Sequence, residues 1–325
     1  MSKSTVDVRS EIQKRAETVN ESFDEYLPED EPKSLYEASL YLLRAGGKRL
    51  RPALLLLTAE ALGEDNPEKT VPAAVSIETI HSFTLIHDDI MDDDDLRRGV
   101  PSVHVEWDEP TAILAGDTLY SKAFEVMLKA DVDPEDLNYM MKVLAESCTG
   151  VCEGQALDIE FERSDEVGED EYMEMVEKKT AVLFGAAAGI GAVVADADDE
   201  TVEAMYDAGI KMGKAFQIQD DVLDITGSTD EIGKTHASDL VEDKQTLINI
   251  HARRNGVDTS LDDDATREEI RDKIDEIEGA GSIEYARQRA DELIDDAKES
   301  LEGLPESEAK DILLRLSDFV VEREH

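Results

Sequence analysis

Between Leu85 and Gly99 the chain reads LIHDDIMDDDDLRRG: an apolar run ends in Asp88-Asp89, a further carboxylate follows at Asp92, and Arg97 and Arg98 come soon after. Residues four apart on a helix share a face, with Cβ atoms roughly 5–6 Å apart. Asp88 and Asp92 can therefore share hard cations such as Mg²⁺, and those cations can hold a polyphosphate that the arginines also grip. The same DDxxD spacing returns at Asp220, Asp221 and Asp224. A single acidic run is ordinarily a solvated face. Two copies, each ending an apolar helical pattern and each near a lysine or arginine, argue for chemistry. Six carboxylates around one cavity mouth would repel each other unless divalent cations occupied it, and oxygen-only ligands favour Mg²⁺ over a softer metal.

Basic residues gather at a few places. Arg44, Lys48, Arg49 and Arg51 surround Gly46-Gly47, with Pro52 in the first turn of the following helix. Positive side chains at a helix N-terminus oppose the macrodipole and suggest an anion there. Lys178-Lys179-Thr180, Lys211, Lys214 and Gln217, then Lys234, Asp239 and Lys244, complete the polar candidates. His81 shares a helical stripe with Ile77, Thr84 and Asp88. A lone histidine on such a face is ordinarily a core residue, but one lying two turns below carboxylates reads as a ligand-binding group. Cys148 and Cys152 lack a nearby histidine to complete a metal set and read as buried small side chains.

The elements that position these groups are helices. Apolar periodicity predicts helices at Ser34 to Ala45, from Pro52 to Gly63, from Pro72 into the first carboxylates, and from Pro110 onward. Further helices are predicted at Glu135 to Phe161, Tyr172 to Ala188, Thr201 to Ile225 (stopped by Gly227), Ile283 to Leu301 and Glu308 to Glu322. After Arg98 a loop carries Trp107, and Gly116 is placed for close helix packing. Asp258 to Glu278 reads as an acidic, solvated segment. No stretch alternates with the period of a strand, and neither a glycine-rich phosphate loop nor a dinucleotide site is present. The expected fold is all-α: a single-domain bundle of long helices around a central apolar cavity, over residues 31–325, preceded by an arm or packing helix over 1–30.

The 325 residues carry 33 Lys and Arg against 79 Asp and Glu, a formal net charge of −46, yet 41% are hydrophobic. Disorder does not fit that apolar content. Adaptation to high salt does, because a Debye length of about 3 Å at 1 M silences the self-repulsion of an acidic surface. A halophile's cytoplasm is the expected location, with no leader and no membrane span. Nucleic acid is excluded as a partner for such a surface.

In order, GGKRLRP (46–52), HDDIMDDDDLRRG (87–99), Gly116-Asp117, GQALD (154–158), Lys179-Thr180, FQIQDDVLD (216–224) and the series Lys234, Asp239, Lys244 resemble the trans-isoprenyl diphosphate synthases, the polyprenyl synthetase family, and among them the archaeal geranylgeranyl type. The resemblance covers residues 30 to 325. It implies a Mg²⁺-dependent prenyltransferase that condenses isopentenyl diphosphate with an allylic diphosphate to a short-chain product, twenty carbons or alternatively fifteen. It also implies a homodimer. Asp88, Asp92 and Asp220, with Asp224 from the same cluster, would hold about three Mg²⁺ on the allylic diphosphate. Arg97, Lys179, Thr180, Gln217, Lys234 and Lys244 would contact that substrate, and Lys48, Arg51, His81 and Arg98 would hold isopentenyl diphosphate. Asp88, Asp92, Arg97, Lys179 and Asp220 would form the catalytic set. Two departures stand out in the loop expected to cover the allylic site: Ala237 where many members have Gly, and Asp243 where Gly or Asn is common.

Product length in this family depends on bulk just before the first carboxylate. Phe83 and Thr84 match the archaeal twenty-carbon arrangement. An ideal helix, however, turns Phe83 roughly 140° from Asp88, which leaves Phe83 open to being ordinary core. Three alternatives remain: a class I terpene cyclase, which has no need of Lys48 and Arg51; a non-catalytic partner of a prenyl synthase; and an acidic cation-buffering protein, which would not explain the arginines.

Overall fold

A computed structural model describes residues 7–161, 163–164, 167–226, 237–262 and 265–322. The elements run α1 (Val8–Tyr26), α2 (Lys33–Arg44), α3 (Leu50–Ala61), α4 (Pro67–Met91), β1 (Leu96–Arg97), β2 (Val100–Pro101), α5 (Val103–Glu106), α6 (Glu109–Met127) and α7 (Pro134–Phe161). Then come α8 (Glu169–Val176), a π-turn (Glu177–Ala181), α9 (Val182–Val194), α10 (Asp199–Thr226), α11 (Ser238–Val241), α12 (Leu247–Arg254), α13 (Arg267–Gly279), α14 (Ser282–Glu302) and α15 (Glu308–Glu322). The fold is all-α, as the periodicity predicts. Lys234 and Gly227 lie outside the described residues.

The chain divides into two compact units. The first comprises residues 1–148, 183–206 and 303–316. Here α4 packs along α6 and against α3, with α1 on α3 and α4 and with α2 on α6. Helix α1 buries Ile12, Ala16, Val19 and Phe23 along one stripe. Leu54, Leu55, Leu57, Ile77 and Ile80 are among the fully buried side chains of this unit.

Helix α4 begins five residues before the expected start. Asn66 caps it by accepting the Glu68 N–H, Pro67 occupies its first turn, and Pro72 lies inside. An internal proline removes the N–H that would bond four residues back. The orphaned Glu68 carbonyl is satisfied from elsewhere, by the backbone N–H of Asp131 at 3.1 Å. That outside donor lets one helix run unbroken to the carboxylates.

The expected loop after the first aspartates is a two-residue hairpin, with Leu96 opposite Pro101 and Arg97 opposite Val100. Arg98 and Gly99 form its turn at φ +54° and +78°, the positive dihedrals such tight turns require.

The second unit comprises residues 149–182, 207–302 and 317–325. Helix α12 packs on α8 and on α14, which also carries α13. The segment expected to be a solvated acidic run is partly helical, and Ile277 of α13 is fully buried. The continuous helix expected from Tyr172 is instead interrupted by the π-turn.

Candidate active site

In the first unit Arg49 caps α3 from the left-handed region at φ +48°. Its buried guanidinium pairs with Glu78 at 2.5 Å and donates to Asn20 at 2.9 Å and to the Leu43 carbonyl. Arg98 donates to the Leu42 carbonyl at 2.9 Å and to the Gly46 carbonyl, and stands 3.4 Å from the same Glu78. Glu78 is thus an anion of the protein's own that both arginines face, buried against Arg49 and at the edge of reach of Arg98. Arg49 belongs to the basic cluster legible in the sequence, but its partner Glu78 is not among the sequence candidates. The available signal was a single acid amid the apolar run from Pro72 to Ile86. Gly47 makes the arrangement possible: it sits at φ +149°, and a Cβ there would come within 2.9 Å of the Arg98 guanidinium carbon.

Lys48 is exposed and Arg51 is buried. The Arg51 guanidinium lies 4.4 Å over the Phe184 ring, and its Nη1 is 3.3 Å from Nε2 of His81. Burial, then Arg51, Arg98, Arg49 and Arg97 in turn, drive the His81 imidazole well below its ordinary pKa. Neutral His81 is therefore a neighbour in a cationic pocket rather than an added positive charge.

Asp88 and Asp92 close α4 one turn apart, with the Asp92 N–H donating to the Asp88 carbonyl at 2.8 Å. Asp89 points inward and is fully buried. It accepts from Nε of Arg97 at 2.6 Å, while Nη2 of Arg97 reaches Asp94 at 2.8 Å. Burial raises the Asp89 carboxyl, and Arg97 only partly offsets that rise. The acidic run is therefore divided: buried Asp89 and half-buried Asp94 anchor Arg97 and the hairpin, while Asp88 is half-buried and Asp92 exposed.

Phe83 is nearly buried, edge-on to His87 (centroids 4.9 Å) and to Tyr120 of α6 (5.4 Å). Gly116 makes room for the His87 ring, which a Cβ would meet at 2.3 Å. Thr84 turns its hydroxyl to the His81 carbonyl at 2.8 Å. Of the two cysteines, Cys148 is buried as expected, but Cys152 is exposed.

In the second unit the π-turn carries Lys178, Lys179 and Thr180. Its Lys179 backbone is so close to α7 that a Cβ on Gly154 would lie 2.2 Å from the Lys179 nitrogen. One helical turn along, Asp158 receives the Lys179 ammonium at 2.5 Å. This close approach explains the spacing of GQALD. Both amide atoms of the neighbouring Gln155 are buried with no hydrogen-bond partner.

From α10, Gln217 accepts from the Thr180 hydroxyl at 2.8 Å and donates to Asp221 at 3.0 Å. Tyr172 of α8 donates to the other Asp221 oxygen at 2.7 Å. Burial, with Asp239 adding to it, raises the Asp221 carboxyl well above its usual range. Asp224, expected as a metal ligand, accepts from the Ser238 N–H at 3.2 Å, the Ser238 hydroxyl at 3.0 Å and the Asp239 N–H at 3.0 Å. Its carboxyl is pushed up to about 6, by burial first and then by Asp239. Lys244 lies 3.2 Å from Asp239 and 3.0 Å from Glu242. Although burial lowers its pKa, these carboxylates outweigh burial and raise it.

Asp158, Lys179, Thr180, Gln217, Asp221, Asp239 and Lys244 line a cavity of about 100 Å³. Residues spread between positions 158 and 244 therefore meet at one small polar pocket. The two departures in the covering segment have a common geometry, since Ala237 and Asp243 adopt φ +59° and +50°. Glycine takes this region without strain, and Asp tolerates it better than Ala.

The sequence profile described as polyprenyl synthetase matches residues 32–280. The chain belongs to the polyprenyl synthetase family. It is 52% identical to a geranylfarnesyl diphosphate synthase of Natronomonas pharaonis, over 98% of this chain and 98% of that one. It is 49% identical to a geranylgeranyl diphosphate synthase of Methanosarcina mazei, over 97% and 98%. The crystal structure of a geranylgeranyl pyrophosphate synthetase from Pyrococcus horikoshii matches this polyprenyl synthetase with a TM-score of 0.92 at 40% identity, covering 98% of each chain. By family and by these relatives the chain is a short-chain prenyltransferase, which removes the cyclase and cation-buffer alternatives.

Proposed function

We propose that this prenyltransferase condenses isopentenyl diphosphate with an allylic diphosphate in the presence of Mg²⁺ to give geranylgeranyl diphosphate for isoprenoid lipid synthesis. The observation that carries the reading is the polar pocket of the second unit, which gathers Lys179, Thr180, Gln217, Asp221 and Lys244 from three separate motifs. Geranylfarnesyl diphosphate is the second product reading, favoured by the name of the Natronomonas relative.

Among the described residues, no three His, Cys, Asp or Glu side chains are grouped to hold a metal by themselves. Mg²⁺ does not need such a cage: it keeps several waters and commonly binds through one or two carboxylates plus substrate phosphates. The all-carboxylate donors Asp88, Asp92 and Asp220 suit that mode, with Asp224 contributing while it tethers Ser238 and Asp239. About three bound ions would neutralise the leaving diphosphate.

The chain's own groups do the rest. Lys179, Lys244 and Arg97, with Lys234, place positive charge on the allylic diphosphate as its bond to carbon breaks. Lys48, Arg51, His81 and Arg98 hold the isopentenyl diphosphate, whose double bond attacks the allylic carbon. Neutral His81 donates a hydrogen bond there without adding charge. The proton then lost passes to the departing diphosphate. Phe83, with Thr84, limits chain growth.

The protein acts as a homodimer in a cytoplasm of high salt. Support for the dimer comes from the exposed apolar residues Ile113, Leu114, Tyr120 and Leu128 on and just after α6, a surface unsuited to a monomer. No described helix is long and apolar enough to cross a membrane.

Incubation of the purified chain with isopentenyl diphosphate, farnesyl diphosphate and Mg²⁺, followed by sizing of the dephosphorylated product, tests the proposal. A twenty-carbon alcohol, lost on chelation with EDTA, is expected. An olefin released without isopentenyl diphosphate, or no product at all, would overturn it.

A further inference from the structure

Tyr172 has no role in the assignments above, yet it is 1% exposed and ends a chain of hydrogen bonds that reaches the pocket. Its hydroxyl donates to Oδ2 of Asp221 at 2.7 Å. Oδ1 of the same carboxyl accepts from Nε2 of Gln217 at 3.0 Å. Oε1 of Gln217 in turn accepts from Oγ1 of Thr180 at 2.8 Å. All four residues belong to the second unit.

The two ends of an amide are not interchangeable, since the NH₂ only donates and the carbonyl only accepts. An acceptor at Oδ1 of Asp221 therefore draws Nε2 of Gln217 toward itself and turns Oε1 toward Thr180. Thr180 has one proton and must direct it at Oε1. Its oxygen is left with lone pairs for the cavity it lines. Tyr172 secures the far end of this sequence. By donating to Oδ2 it favours the ionised carboxylate against the effect of burial, and an ionised carboxylate can only accept at Oδ1, so the direction of every later bond is set.

Resting on the prenyltransferase reading, we propose that Tyr172 is a positioning residue which, through Asp221 and Gln217, fixes the hydrogen-bond direction at Thr180 so that Thr180 presents lone pairs rather than a proton to the substrate. That polarity favours positive charge developing on an allylic carbon as its bond to the diphosphate breaks, and it disfavours donation to a diphosphate oxygen. Asp221 thereby acts inward, as an orienting group, although its motif suggests a metal ligand.

A double-mutant cycle tests this inference. Tyr172→Phe removes only the hydroxyl and should lower kcat about tenfold, the worth of one misdirected hydrogen bond, with the KM for isopentenyl diphosphate unchanged. In a Thr180→Val background, where no hydroxyl remains to orient, the same change should cost nothing further. Multiplying effects, or an unaltered kcat in Tyr172→Phe, would overturn the relay. If Tyr172→Phe lowers the melting temperature too far to assay, Asp221→Asn takes its place in the cycle. The asparagine keeps the shape while offering an NH₂ that can reverse the relay, and the same non-additivity with Thr180→Val is required. A wild-type chain with no condensation activity would instead refute the prenyltransferase reading, and the relay with it.

Discussion

Gly154 and Lys179 approach so closely that any side chain at Gly154 would collide with backbone: its Cβ would stand 2.2 Å from the Lys179 nitrogen and 2.6 Å from the Lys179 Cα. Backbone cannot swing aside as the end of a flexible side chain can. The contact therefore locks the π-turn that presents Lys179 and Thr180. Gly154→Ala should overpack the interface at a cost of about 1–3 kcal/mol and displace Lys179. A misplacement of about 1 Å costs roughly 10²-fold in rate. Steady-state condensation rates beside a thermal melt would show a loss of kcat far exceeding the loss of stability, and an active Gly154→Ala enzyme would contradict the argument.

The buried pair Arg49 and Glu78 should be structural rather than catalytic. Side-chain exposures of 0% and 2% leave no water to take over the charge of either residue if its partner is removed. Glu78→Gln leaves Arg49 with a weaker partner and takes Arg98's carboxylate as well, so a loss of about 3–5 kcal/mol is expected. Urea unfolding at constant salt measures it.

His81 should remain neutral throughout the physiological pH range. Its folded pKa is depressed, by burial and then by the surrounding arginines, Arg51 foremost. The unfolded value is near 6.5. Since the unfolded chain takes up the proton first, the stability contributed by neutral His81 is complete above about pH 6.5 and declines as pH falls below it, toward the folded pKa. Ring-proton NMR should show no titration of His81 between pH 6 and 8, and His81→Gln should flatten this part of the stability curve.

Phe83 should influence product length through the aromatic group it forms with His87 and Tyr120. Phe83→Ser removes the ring and opens space one turn before the carboxylates. Products longer by one or more five-carbon units are expected on chromatography of the dephosphorylated alcohols. An unchanged distribution would leave Phe83 as ordinary core packing.

Salt should favour activity. With a formal charge of −46, anionic substrates meet an adverse field that is screened within about 3 Å at 1 M. Activity at 1–2 M KCl should equal or exceed that at about 0.1 M, where the surface repels itself. An optimum near 0.1 M in a fully folded preparation would refute salt adaptation.

Helix content, the two carboxylate clusters and the basic motifs were legible because each is a short-range pattern. Periodicity, spacing and residue type survive in one dimension. Pro72 misled for the same reason. Locally it signals a helix start, and only the distant N–H of Asp131 supplies what allows it inside α4.

What the sequence by itself determined is therefore the chemistry on offer: an all-α chain with paired aspartate clusters, a few concentrated cations and a net charge of −46. Tertiary structure decided which of those groups are spent on one another. Asp89 holds Arg97, Glu78 holds Arg49 and stands beside Arg98, Asp158 holds Lys179, and Asp221 sits between Tyr172 and Gln217. Adjacent aspartates look alike in sequence, but helical geometry points neighbours about 100° apart. Asp89 is fully buried against Arg97 while its neighbour Asp88 stays half-buried, and that division exists only once the helices have packed.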